Sequence, residues 1–166
     1  IKTGEVPLIL KKFDYLETGY PLEIKTKVKT SDDSMEGIWD ISARSLKRCM
    51  HETYMDCPFY EQLQYAMDAR SQILYTYAVA ADDRLARQCM EDFKRSQRYN
   101  GLLNASYPCI GDNVIPGFSV FYIGMLYDHM MYFGDKAFIE DHLATIDGIL
   151  HFFHRHRDEK GLVDKI

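Results

Sequence analysis

The chain has 166 residues, a formal net charge of −5 at pH 7, 46% hydrophobic residues and 13% aromatics. That is enough for one domain with a sizeable core, and it excludes a disordered chain. No lysine-arginine stripe marks a nucleic-acid partner, and no apolar run approaches the ~18 residues of a membrane span.

Residues 1–30 alternate apolar and polar in places, as at Val6, Leu8 and Leu10 and again at Leu22, Ile24 and Val28. Gly4, Pro7, Gly19 and Pro21 punctuate them. They read as short β-strand segments or extended arms leading from a preceding β domain. The sequence opens on Ile1, carries no signal peptide and stops at Ile166 in what reads as a loop. The expectation is therefore an excised piece of a longer protein, with the rest of that polypeptide as a partner.

From Ser31 the period turns helical, and residues 31–166 form the second unit. Ser31-Asp32-Asp33-Ser34 offers N-caps for a first helix, with Ile38, Ile41, Leu46 and Cys49 near helical spacing and an end near Met50. A loop through Pro58 follows, since a helix does not easily run through proline. Helix two is expected from about Gln62, burying Leu63, Met67, Ile73, Leu74, Tyr77, Ala78 and Ala81. Asp68 and Arg70 lie beside that stripe and need partners if buried. After a turn at Asp82-Asp83, helix three carries Leu85, Cys89 and Phe93. A long irregular stretch runs from Gln97 to Gly117. Helix four covers about Phe118 to Phe133, and Gly134-Asp135 supplies a C′ glycine and an N-cap. Helix five carries Ile139, Leu143, Ile146, Ile149, Leu150 and Phe153.

The connections alternate long, short, long, short. In an up-down array the two long ones share an end, so Asp56, Glu61, Tyr107 and Asp112 are expected together there. Tight turns at one end and long loops at the other are how helical barrels build a site.

Four cysteines (Cys49, Cys57, Cys89, Cys109) form no CxxC pair. They read as reduced, with Cys49 and Cys89 in the core. His151, His154 and His156 lack an accompanying HExxH-type motif and read as the cationic last turn of helix five. No metal and no cofactor is expected.

The chemistry concentrates between Met50 and Arg70. Glu61 follows Phe59 and Tyr60, and aromatic surface would desolvate its carboxyl and favour the protonated form that a general acid needs. Asp68, two helical turns on, and Asp56 in the preceding loop suit sugar hydroxyls. Helix-start electrostatics for Glu61 and a salt bridge for Asp68 remain the plainer alternatives.

At Asp56-Cys57-Pro58, followed by Glu61 and Asp68, the sequence resembles the bacterial α-L-rhamnosidases, whose catalytic domain is a six-hairpin (α/α)6 barrel. The resemblance extends to His51-Glu52-Thr53-Tyr54-Met55, Thr18-Gly19-Tyr20-Pro21-Leu22 and Ile115-Pro116-Gly117-Phe118-Ser119. One residue fewer separates the proline from the glutamate than in the common motif, and Tyr65 stands where the family has tryptophan. The acidic residue often found just after Phe118 is absent. The resemblance implies a mainly α fold, a partial barrel of about five helices truncated at its C-terminus. It implies hydrolysis of terminal α-L-rhamnosides with inversion, Glu61 as general acid, and Asp56, Tyr65, Asp68 and Phe118 as contacts to a rhamnose-containing oligosaccharide or glycoside. The general base would lie beyond this chain. For such a bacterial enzyme a periplasmic or extracellular setting is favoured over the cytoplasm. Another glycosidase or lyase on the same barrel, and a non-catalytic carbohydrate-binding barrel, are the alternatives.

Overall fold

The computed structural model describes residues 4–166. It contains five helices: α1 (Ser34–Arg48), α2 (Ala66–Ala80), α3 (Arg84–Arg95), α4 (Pro116–Phe133) and α5 (Lys136–Arg155). Among the described residues no strand forms, and β-pairing is limited to isolated bridges such as Tyr65 with Ser106.

Of the two readings for residues 1–30, the extended arm is the one observed, from residue 4 onward; residues 1–3 lie outside the described residues. The arm's donors serve a helix end. The N–H groups of Lys25 and Thr26 bond the Val79 carbonyl at 2.8 and 3.1 Å, and the Thr26 hydroxyl bonds the Ala78 carbonyl at 2.8 Å. Both carbonyls lie in the last turn of α2, where no intrahelical donor remains. The arm therefore caps α2 instead of pairing with a second strand.

The short turns follow cap chemistry. Ala81 ends α2 in the left-handed region at φ 51°, and Gly134 ends α4 at φ 65°. Asp135 then caps α5 by accepting from the Phe138 N–H at 3.2 Å. Pro116 opens α4 at a position where its missing N–H costs nothing.

The core joins Ile73 and Tyr77 of α2, Cys89, Met90 and Phe93 of α3, Tyr122, Met125 and Leu126 of α4, and Ile149 of α5. α2 and α4 form the most extensive helix pair. Arg70 crosses between them, its Nε donating to Asp128 Oδ2 at 2.8 Å. Gly124 makes room for that crossing: a Cβ there would fall 2.5 Å from the Arg70 guanidinium carbon. This supplies the partner that Arg70 requires.

Three helix faces differ from the sequence expectation. In α1, Ile38 and Ile41 are 55% and 56% exposed, and within the helix only Leu46 is buried. In α2 the inner stripe is Ala66, Ala69, Ile73, Thr76, Tyr77 and Ala80, while Met67 and Ala78 face outward. In α5 it is Phe138, His142, Thr145, Ile149 and Phe152, with Leu143 and Leu150 exposed. Small and polar side chains occupy inner positions where helices approach closely, so apolar periodicity alone points to a rotated face. All four cysteines are free, Cys49 and Cys89 among the buried residues. His151 and His154 are exposed, as expected of a solvated last turn.

Candidate active site

The two long connections meet at one end, as their lengths predict. The Ala66 N–H reaches the Ala105 carbonyl at 2.9 Å, and the Tyr107 N–H reaches the Gln64 carbonyl at 3.0 Å. Gln64, only 2% exposed, pins the junction with its side chain. Its Oε1 accepts from the Tyr54 N–H at 3.2 Å, and its Nε2 donates to the Tyr107 carbonyl at 2.9 Å. Gln64 stands between Leu63 and Tyr65, where a polar residue announces no such structural role in the sequence.

The loop carrying the carboxylates closes on itself. The Asp56 N–H bonds the Leu63 carbonyl at 2.9 Å, and Asp56 Oδ1 accepts from the Leu63 N–H at 3.0 Å. Gln62 turns the chain at φ 53° and sends its amide to the Pro58 carbonyl at 2.9 Å. Glu61 is thereby returned to Cys57, whose thiol donates to Glu61 Oε2 at 3.0 Å. Donor atoms of Asp56, Cys57 and Glu61 lie within 4.8 Å of one another. That spacing would accommodate a cation, but the thiol-carboxylate hydrogen bond and the loop closure already account for it.

Two expectations for Glu61 are corrected. α2 begins at Ala66, so Glu61 lies in the loop, outside the first turn of a helix, and the two-turn spacing to Asp68 does not apply. The backbone of residues 63–65 is committed to Asp56, Tyr107 and the Ser106 bridge, which prevents an earlier helix start. Nor do the aromatics cover Glu61. Phe59 and Tyr60 pack edge-on to each other at 5.2 Å and are 77% and 85% exposed, and Glu61 is itself exposed.

Tyr65 is the half-buried N-cap residue of α2, and its ring meets Phe118 edge-on at 6.4 Å. Phe118 lies in the first turn of α4 and packs on Phe121 at 6.0 Å. Asp68 lies in the first turn of α2, half-buried; Arg70, the nearest base on its helix, pairs with Asp128 instead. The structure thus brings Asp56 within 4.8 Å of Glu61 and Tyr65 against Phe118, with Asp68 on the same helix start. Asp112 shares this end but is tied to Arg98 at 2.8 Å, and that bond holds its carboxyl below the usual carboxylate range.

This arrangement presents carboxylates and aromatic edges beside an open face, the composition that sugar recognition uses. The family model for the bacterial alpha-L-rhamnosidase six-hairpin glycosidase domain matches residues 24–165. Among solved structures, the chain is similar to a GH78 family rhamnosidase of Bacillus sp. GL1, with TM-score 0.83 and 26% identity over 88% of this chain. It also shares the fold of a rhamnosidase from Klebsiella oxytoca solved with rhamnose bound, with TM-score 0.76 and 24% identity over 82% of this chain. The chain spans 15% of the first and 28% of the second. A search of curated proteins found no match. The five helices are therefore a partial (α/α) six-hairpin barrel, and the chain belongs to the bacterial α-L-rhamnosidase six-hairpin glycosidase family.

Proposed function

We propose that this chain carries the general-acid half of an α-L-rhamnosidase site that cleaves terminal α-L-rhamnosides with inversion. The observation that carries the reading is the closed loop at residues 56–63, which sets the Glu61 carboxyl beside Asp56 at the mouth of the hairpins. One oxygen of Glu61 accepts the Cys57 thiol, which leaves the other to meet a glycosidic oxygen. In this role Glu61 donates its proton to the leaving-group oxygen as the glycosidic bond breaks. Asp56 and Asp68 accept hydrogen bonds from ring hydroxyls, while the Tyr65 and Phe118 edges support the apolar side of a deoxysugar.

Inversion requires a second carboxylate roughly 6.5–9.5 Å from the acid, with a water between sugar and base. Asp56 and Glu61 approach within 4.8 Å, too close to hold that water, which removes Asp56 as the base; the family resemblance implies a base on a further hairpin of the barrel. The exposure of Glu61 fits the same division, because a closing hairpin or the sugar itself would supply the desolvation that Phe59 and Tyr60 do not.

In a polypeptide containing the whole barrel, Glu61→Gln should lower turnover of rhamnosides with poor leaving groups by roughly 10²–10⁴. Substrates with good leaving groups should suffer much less. A near wild-type rate on a natural rhamnoside would remove Glu61 from the acid role, and turnover of an aryl rhamnoside by these 166 residues alone would refute the external base.

A further inference from the structure

A second polar cluster lies between α3, α4 and α5, away from the loops that carry Glu61. At its centre is His142, on the inner stripe of α5 with its side chain fully buried. His142 Nδ1 lies 2.6 Å from the Phe138 carbonyl. A carbonyl only accepts, so Nδ1 carries the proton and Nε2 of the neutral ring holds a lone pair. Nε2 is buried and has no hydrogen-bond partner, yet Glu91 Oε1, also an acceptor, stands 3.3 Å away. Two lone pairs facing each other, on a buried His142 and a half-buried Glu91 with the exposed Asp141 at the rim, call for a positive species between them.

Two further observations converge on the same point. Donor atoms of Glu91, Asp141 and His142 lie within 4.8 Å of one another. The Tyr122 hydroxyl of α4 is also buried, and its ring centre lies 6.1 Å from that of His142. The Lys94 ammonium bonds one oxygen of Asp141, leaving the other available.

We propose that Glu91, Asp141 and His142 bind a divalent transition-metal ion of the zinc class, tying α3 to α5. Zinc sits about 2.0–2.1 Å from imidazole nitrogen and carboxylate oxygen, and tetrahedral coordination then sets those donors about 3.3–3.4 Å apart. The observed Nε2 to Oε1 separation of 3.3 Å matches. The backbone bond to Nδ1 is the outer support that ligating histidines use to fix tautomer and ring orientation. One nitrogen and two oxygens suit zinc better than calcium or magnesium, which prefer all-oxygen cages. Lys94 opposes the ion electrostatically, so the site is expected to be moderate in affinity and tunable.

The test is calorimetric titration of ZnCl2 into the full chain stripped with chelator, with thermal melting alongside. A Cys57→Ser background removes the thiol of the other donor cluster. The expected result is one saturable site per chain and a zinc-dependent rise in Tm. Glu91→Gln, at a half-buried position that should still fold, is expected to weaken binding about tenfold or more. Lys94→Gln should tighten it. His142→Gln should abolish binding, and if that variant fails to fold, Glu91→Gln and Asp141→Asn carry the test. Absence of saturable binding, or equal binding in the Glu91→Gln and Asp141→Asn variants, would overturn the proposal.

Discussion

The two ends of the hairpin array are held together by different forces. At the short-turn end the ties are ionic. Asp82 accepts from Arg84 at 2.6 and 3.0 Å and from the Tyr20 hydroxyl at 3.0 Å. Arg87 bonds Asp135 while its guanidinium lies 4.2 Å from the Phe138 ring centre. At the long-loop end buried neutral ties predominate, beside the exposed Arg98–Asp112 ion pair. The Leu103 N–H reaches the Ser119 hydroxyl at 3.0 Å, the Asn104 N–H reaches the Ser96 hydroxyl at 3.2 Å, and Gln64 bridges both connections. Ionic ties tolerate small displacements and respond to salt and pH. Neutral buried hydrogen bonds ignore both but fail when one partner is lost. The end that carries Asp56, Glu61, Tyr65 and Phe118 is built mainly from the position-sensitive kind.

The largest effect should follow from breaking the backbone approach that supports the loop end. Gly101 has φ 100°, and a Cβ there would collide with the Gly148 carbonyl of α5. Gly101→Ala combines a left-handed conformation with a backbone clash, and should cost about 3 kcal/mol or more. Denaturant unfolding checks this; a cost under about 1 kcal/mol would mean that the loop end relaxes as easily as the turn end.

Gln64 tests the neutral network itself. Gln64→Leu keeps the apolar bulk but strands the buried Tyr54 N–H and the Tyr107 carbonyl. A loss of about 2–3 kcal/mol is expected, independent of salt. If stability instead recovers with rising salt, the junction is held by charge and the contrast between the ends fails.

How far the sequence could reveal this depended on where tertiary contacts override local pattern. α3 was readable because Leu85, Cys89 and Phe93 are both apolar and inward, all 4% exposed or less. The shared end of Asp56, Glu61 and Tyr107 followed from connection lengths alone. α5 misled because His142 and Thr145 face the core while Leu143 and Leu150 face out. Such a local contradiction marks positions chosen for something other than apolar packing, and His142 is the residue argued above to ligate zinc. The return of Glu61 to Cys57 was hidden for another reason. The turn uses a positive φ at Gln62, with no glycine to announce it. The start of α2 was set too early because pairing of residues 63–65 with the second loop is nonlocal.

The smallest effect, and the sharpest discriminator between the ends, is pH. His129 lies at the turn end, its Nδ1 2.8 Å from the Tyr77 hydroxyl, and burial lowers its pKa despite Asp83 and Asp135 nearby. Burial also lowers that of His142. Each therefore binds fewer protons folded than unfolded once pH drops below about 6.5, so stability declines through that region. Asp82 acts lower down. Hydrogen bonds from Arg84 hold its carboxyl at about 2, so its contribution is present above about 3.8 and is lost as pH falls towards 2. Zinc-free melts across pH should show the decline below pH ~6.5 and a further loss below ~3.8. His129→Gln should shrink the first step to the share of His142 while leaving the second. Gln64→Leu should lower the curve as a whole and leave the step below pH ~6.5 in place, since no histidine belongs to its hydrogen-bond network. A Gln64→Leu curve that loses the step below pH ~6.5 would tie that step to the loop end and erase the distinction.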